Sequence, residues 1–151
     1  MRAFRIVHRK WSGRLQSSGY PARWNSAGTN ILYTADSRAL ACLENLVHRG
    51  TNELTGAFVC MVISIPEASM DYLDEKELPK GWNQPGEQGS IMCRPLGDTW
   101  YRSGSSLVLK VPSAIIPGEF NYLINTVHPE FHKIRLEKEE NFLFDTRIKK
   151  R

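Results

Sequence analysis

Apolar and polar residues alternate at the start of the chain. Over residues 2 to 9, Phe4 and Ile6 fall on one face and Arg5 and Val7 on the other, the two-residue period of a strand. From Ser12-Gly13 to Pro21 the pattern dissolves into turn formers, which predicts a loop delivering Arg23-Trp24-Asn25 to the place where they act. Ile31 to Thr34 reads as a short strand, and Asp36 or Ser37 can cap a following helix that ends near Gly50. On that helix Leu40, Leu43 and Val47 recur at spacings of three and four and define the face turned to the core. Glu44 lies on the same side. A carboxylate there is costly to desolvate unless paired, so it opens into a cleft, meets Arg23, or keeps its head in water at the rim of the stripe.

Gly56 to Ile65 is a long apolar run rich in β-branched residues, the pattern of a strand buried on both faces. The acidic run Asp71 to Glu77 belongs to solvent. Pro79 to Gly89 reads as a loop able to cover a pocket, and Ser90 to Tyr101 as a short helix opposed by Pro95 and Gly97. Ser106 to Val111 is a strand that Pro112 terminates, which leaves Ser113 just past a strand end, where rigid frames hand reactive groups to clefts. Lys133 to Ile148 reads as two strands around Glu139-Glu140-Asn141 that close the domain. With 151 residues, 41% of them hydrophobic, and no repeat or linker, a single domain is expected.

Charge adds one feature to this picture. The net charge is +4, and Arg147, Lys149, Lys150 and Arg151 supply a basic tail. The first 23 residues hold Arg2, Arg5, Arg9, Lys10, Arg14 and Arg23 without an acid, a surface suited to phosphates of a nucleotide or a polynucleotide. A solvated strand face and a solubilising tail explain the same charges. Three cysteines, Cys42, Cys60 and Cys93, lack CxxC spacing, so disulfides are not expected. No apolar run approaches the roughly 18 residues of a membrane span, and Met1 to Arg5 lacks the apolar block of a secretory signal. A cytoplasmic protein with no membrane contact is the expectation.

His128 and His132 stand four apart, but Pro129 between them marks a helix start and no ligand set accompanies them, so no metal site is expected. No cysteine has the electropositive, exposed setting of a nucleophile, and neither GxGxxG nor GxxxxGK[ST] occurs. Two distant segments remain. Arg23-Trp24-Asn25-Ser26-Ala27-Gly28 with Tyr33 and Glu44, and Val111-Pro112-Ser113-Ala114 with Asn121, Asn125 and His128-Pro129, hold polar side chains where a core would want apolar ones. A guanidinium, hydroxyls, a carboxylate and amides suit a phosphorylated, sugar-containing ligand.

Together with Gly97-Asp98-Thr99-Trp100, Asn121-Tyr122-Leu123-Ile124-Asn125 and Phe144-Asp145-Thr146-Arg147, these segments resemble the RES domain family over nearly the whole chain. That family is named for an arginine, a glutamate and a serine, matched here by Arg23, Glu44 and Ser113. Pro21-Ala22 stands where the family usually has two glycines, and Thr126 where it usually has proline. The resemblance implies an α+β domain with a split, mixed β-sheet and flanking helices, similar to ADP-ribosyltransferases. It further implies the toxin of a toxin–antitoxin pair, with NAD as substrate rather than cofactor. The implied partners are an Xre-like helix-turn-helix antitoxin, forming a hetero-oligomer, and a host-protein acceptor as one destination of ADP-ribose.

Under that resemblance the residues take roles. Breaking the nicotinamide–ribose bond releases a neutral pyridine and leaves an oxocarbenium-like sugar, so Glu44 is expected to face the developing cation. Arg23 is expected to clamp the pyrophosphate and Tyr33 to offer its ring to nicotinamide and its hydroxyl to the ribose or carboxamide. Ser113 is expected to bond a phosphate or ribose oxygen, Asn121 to orient Glu44 or the substrate, and Trp24 and His128 to shape the pocket. The competing reading from another class is a basic nucleic-acid-binding or ribonuclease-type toxin, although no RNA-binding signature is present.

Overall fold

The longest apolar run of the sequence forms the centre of the molecule. In the computed structural model, which describes residues 1–148, Phe58–Ser64 is the strand β3, and its side chains are buried on both faces. Lys149, Lys150 and Arg151 of the basic tail lie outside the described residues. The other strands are β1 (Arg2–His8), β2 (Ile31–Ala35), β4 (Met70–Tyr72), β5 (Val108–Pro112), β6 (Phe120–Asn125) and β7 (Arg135–Phe142). They form one mixed sheet in the order β4-β5-β6-β2-β1-β3-β7, in which β4 and β5 run parallel and all other neighbours antiparallel.

The sheet is nearly divided between β1 and β2. That pair registers only at Phe4 opposite Ala35, whereas β1 and β3 are in register from Arg2 to His8 and β2 and β6 from Ile31 to Ala35. Continued by two residues, the ladder would set Ile6 against Tyr33. Side chains take the place of the missing ladder bonds: Arg5 Nη1 donates to the Tyr33 carbonyl at 2.8 Å, and Asn45 Nδ2 donates to the Ile6 carbonyl at 3.1 Å. Backbone groups released from a ladder must find partners, and here two polar side chains supply them.

Alternation along β2 separates two layers. Leu32 joins Ala3, Val7, Met61, Ile63, Val108 and Ile124 in a core beneath one face. Ile31, Tyr33 and Ala35 turn to the other face, which carries both helices. Helix α1 (Arg38–His48) starts at Ser37, whose Oγ accepts from the Leu40 N–H at 3.0 Å, and packs Leu40, Ala41 and Leu46 against Ile6, Phe58 and Cys60. The apolar stripe therefore lies to one side of the expected one: Leu43 is only partly buried, and Val47 is exposed at the mouth of a cavity.

Helix α2 (Glu87–Ser103) is longer than the short helix the sequence predicts. Pro95 lies in its interior and, like Ile91 and Met92, on its exposed side, where the loss of one helical donor disturbs no core packing. Gly97 and Gly89 are packing positions. A Cβ on Gly97 would come within 1.8 Å of the Trp24 carbonyl oxygen, and one on Gly89 within 2.1 Å of Arg23 Nη1. Gly104 ends the helix with φ of 59°, the left-handed conformation that favours glycine there.

The predicted pair of strands in 133–148 is a single strand, β7, and Glu139-Glu140-Asn141 lies inside it opposite Met61, Cys60 and Val59. As the outer strand it buries little, so its polar residues need not mark a turn. Pro112 is the last residue of β5 rather than the first beyond it, and β4 and β6 complete the sheet in segments for which no strand was expected.

Candidate functional site

The Arg23 segment is held by its own hydrogen bonds and by α2. Ala22 and Asn25 form a β-bridge, and Asn25 Nδ2 donates to the carbonyls of Tyr20 and Ser26. Asp98 on α2 accepts from both the backbone N–H and the hydroxyl of Ser26. Trp24 is buried and packs on Trp82, with ring centroids 6.1 Å apart. Arg23 reaches across to the loop before α2, where Nη1 donates to the Trp82 carbonyl at 2.7 Å and Nη2 to the Gln84 carbonyl at 3.1 Å. Two of its five donors are thus used to tether residues 82–84.

That tethered loop forms one wall of a cavity of about 750 Å³. The floor is the β1–β2 split, from Phe4 to Val7 and from Tyr33 to Ala35. Glu44, Asn45 and His48 of α1, Ser90 and Arg94 of α2, Arg23, Trp24 and Asn121 complete the walls. The volume falls in the range of small-molecule sites, roughly 300 to 1,000 Å³.

Within it Glu44 and Asn121 meet. Asn121 Nδ2 donates to Glu44 Oε1 at 2.7 Å, and Glu44 Oε2 lies 3.6 Å from His48 Nε2 one helical turn on. The Glu44 side chain retains 27% exposure, so it opens into the cleft; its hydrogen-bond partner is Asn121 rather than Arg23. A carboxylate fixed on one oxygen by an amide, with an exposed histidine beside the other and part of its surface in the cleft, is suited to facing a developing cation.

Three of the expected site residues have their polar groups bonded within the protein. The Tyr33 hydroxyl donates to Asn25 Oδ1 at 2.6 Å and accepts from the Trp24 N–H at 3.1 Å, so it braces the Arg23 segment. Burial pushes its phenol well above the usual range. Ser113 does not line the cavity: its Oγ accepts from the N–H groups of Ile115 and Ile116, each at 3.1 Å, and fixes a turn whose Ala114 and Ile115 do line it. Short hydroxyl side chains stabilise turns in this way. His128 is also absent from the walls, with Nε2 3.2 Å from the Gly104 carbonyl and Nδ1 accepting from the Glu130 N–H.

Arg5, read from the sequence only as part of a basic surface, and Asn45 and Arg94, which were not singled out, border the cavity. Arg94 donates Nε to the Ala22 carbonyl at 3.0 Å and pairs with Glu87. The signal for Arg5 was a charge on a strand that is otherwise largely apolar; Asn45 and Arg94 carried none. Among the described residues no group of three His, Cys, Asp or Glu could hold a metal ion, and no helix is long and apolar enough to cross a membrane.

A profile of the RES domain matches residues 2–145. The chain belongs to the RES domain family. It is 39% identical over 147 residues to a protein of Photorhabdus laumondii called Toxin Res, covering 97% of this chain and 92% of that one. It is 38% identical over 130 residues to the Prs ADP-ribosylating toxin of a Sphingobium species, covering 83% and 79%. A solved structure, the M. tuberculosis MbcT-MbcA toxin-antitoxin complex, holds a chain that superposes with a TM-score of 0.75 at 14% identity over 94% of this chain and 84% of that one. The fold is therefore the single α+β domain with a split, ADP-ribosyltransferase-like mixed sheet that the resemblance implies.

Proposed function

We propose that this RES domain protein is the toxin of a toxin–antitoxin pair, and that it cleaves the nicotinamide–ribose bond of NAD in the cavity over the β1–β2 split. The observation that carries the reading is Glu44, oriented by Asn121 and open to a cavity bordered by Arg5, Arg23 and Arg94. The relatives named as toxins, one of them ADP-ribosylating, support it.

NAD enters with its diphosphate toward the guanidinium groups and its nicotinamide ribose toward Glu44. The bond between the sugar carbon and the pyridine nitrogen breaks with its electron pair passing to nitrogen, so nicotinamide departs neutral and needs no general acid. Positive charge then spreads over the sugar carbon and ring oxygen, and the Glu44 carboxylate stabilises it. Preorganised groups facing transition-state charge are typically worth about 10² to 10³ in rate. The Tyr33 ring forms part of the wall while its hydroxyl keeps Trp24 and Asn25 in place. Water, phosphate or a protein side chain attacks the sugar carbon from the open side.

An Xre-like helix-turn-helix antitoxin is the proposed partner, and the cytoplasm, where NAD is abundant, the proposed compartment. Among the described residues of the basic opening segment, only Lys10 and Arg14 are left to the nucleic-acid reading without a polar partner or a place at the cavity. Arg2 pairs with Glu137, Arg9 bonds Asn141, and Arg5 and Arg23 border the cavity. The experiment is to mix purified protein with NAD and follow nicotinamide release, with mass spectrometry of the ADP-ribose product in the presence of phosphate or cell extract. NAD left intact by the wild type, or consumed equally by Glu44→Gln, rejects the reading.

A further inference from the structure

We infer that the Glu87–Arg94 pair is a built-in competitor for the ligand: a phosphoryl group entering the cavity displaces the Glu87 carboxylate and takes its place on the Arg94 guanidinium. The inference rests on the proposed reading of the cavity as an NAD site and adds a self-blocking contact to its wall. Among the described residues two carboxylates, Glu44 and Glu87, line the cavity, and they are held differently. Glu44 is fixed by the Asn121 amide, whereas Glu87 lies across the Arg94 fork, with Oε1 accepting from Nη1 and Oε2 from Nη2 at 3.1 Å. A guanidinium binds paired phosphoryl oxygens in the same two-pronged geometry.

The two partners are unequally anchored. The Arg94 side chain is 23% exposed and its Nε donates to the Ala22 carbonyl at 3.0 Å, so the fork stays at the wall when its partner leaves. The Glu87 side chain is 63% exposed, and an ion pair so open to water contributes little stability. Once displaced, Glu87 remains in the first turn of α2, where the helix dipole favours negative charge. A diphosphate, with more than one negative charge and more acceptor oxygens, therefore wins the exchange. Arg23 offers no such site, because two of its donors go to the neutral Trp82 and Gln84 carbonyls and fix the loop. Glu87 thus lowers the affinity of the free protein for phosphorylated ligands without touching the reacting sugar.

The test titrates ADP and adenosine by calorimetry into wild type, Glu87→Gln, Glu87→Asp, Arg94→Gln and the double variant Glu87→Gln/Arg94→Gln, with thermal melts of each and a separate assay of NAD consumption. Removing the competing charge predicts ADP bound about two- to fivefold more tightly by Glu87→Gln, with adenosine binding unchanged. Arg94→Gln is expected to weaken ADP about tenfold, and in that background the gain from Glu87→Gln shrinks. Glu87→Asp keeps the charge but draws it back from the fork, so it also tightens ADP binding, and it carries the test if Arg94→Gln does not fold. ADP bound no more tightly by Glu87→Gln than by wild type, an equal gain with and without Arg94, or Glu87→Asp indistinguishable from wild type overturns the inference. NAD consumption with Glu87-independent ADP binding removes the competitor and leaves the NAD reading standing. Tighter ADP binding by Glu87→Gln without NAD consumption by wild type does the reverse.

Discussion

Asn121 on β6 donates to Glu44 on α1 at 2.7 Å, joining the two halves of the sheet across the cavity. Glu44→Gln keeps the size of the side chain and removes its charge, so kcat for nicotinamide release is expected to fall about 10²- to 10³-fold with the melting temperature little changed. Asn121→Ala is expected to lower kcat less, about tenfold, because the carboxylate survives but loses its orientation. Steady-state kinetics beside circular dichroism melts check both.

Arg23 tethers the loop through the Trp82 and Gln84 carbonyls. Arg23→Ala is therefore expected to raise KM for NAD and also to speed proteolytic nicking within residues 79–86. Unchanged nicking with raised KM would restrict Arg23 to ligand contact.

Whether Tyr33 acts chemically is decided by pH. Its folded phenol titrates above the unfolded value of about 10, so the protonated form is favoured in the folded state and the unfolded chain binds fewer protons above pH 10. Tyr33 therefore contributes stability that is fully present below pH 10 and is lost as pH rises beyond it. Tyr33→Phe is expected to lower stability near neutral pH by about 1 kcal/mol through the lost hydroxyl bonds. It should flatten the alkaline decline and leave the pH profile of turnover near neutrality unshifted. Denaturant titrations from pH 8 to 11 measure the first effects, and a neutral-range kinetic profile the last.

Ser113 distinguishes a turn residue from a ligand contact. Ser113→Ala is expected to cost about 1 kcal/mol, as for other hydroxyl caps, with KM for NAD changed about twofold or less in the surviving folded protein. A tenfold KM increase without loss of stability would return Ser113 to the binding site.

Gly97 is the point of closest approach between α2 and the Arg23 segment. A methyl group there would overlap the Trp24 carbonyl, so Gly97→Ala is expected to destabilise by about 1 to 3 kcal/mol. Gly118, which has nothing within 4 Å but a φ of 82°, is expected to lose less on the same change, through backbone strain alone. Chemical denaturation of the two variants side by side gives the comparison.

Local patterns foretold the first two strands, a helix cap at Asp36 or Ser37, of which Ser37 serves, and the doubly buried β3, because each depends on residues near in sequence. Their failures have a common cause. Glu139-Glu140-Asn141 resembled a turn because nothing local shows that a strand lies at an edge, and Pro95 seemed to break a helix because nothing local shows which side of it meets water. At the site, Arg23, Trp24, Tyr33, Glu44 and Asn121 were all placed at the cavity, while Ser113 and His128 proved to be bonded elsewhere. Arg5 was read only as part of a basic surface, because its place at the cavity follows from a ladder that stops after one pair, a feature of how strands meet rather than of any segment.

The single pair joining β1 to β2 also leaves the reaction centre of the proposed function divided between two groups of strands. The group β1-β3-β7 with α1 carries Glu44 and Arg5; the group β4-β5-β6-β2 carries Asn121 and Tyr33. A nascent or partly denatured chain in which only one group has condensed possesses half a reaction centre and is chemically inert. Under the proposed function, harm to the producing cell would begin only when the two groups dock, leaving an interval during synthesis for the proposed antitoxin to arrive.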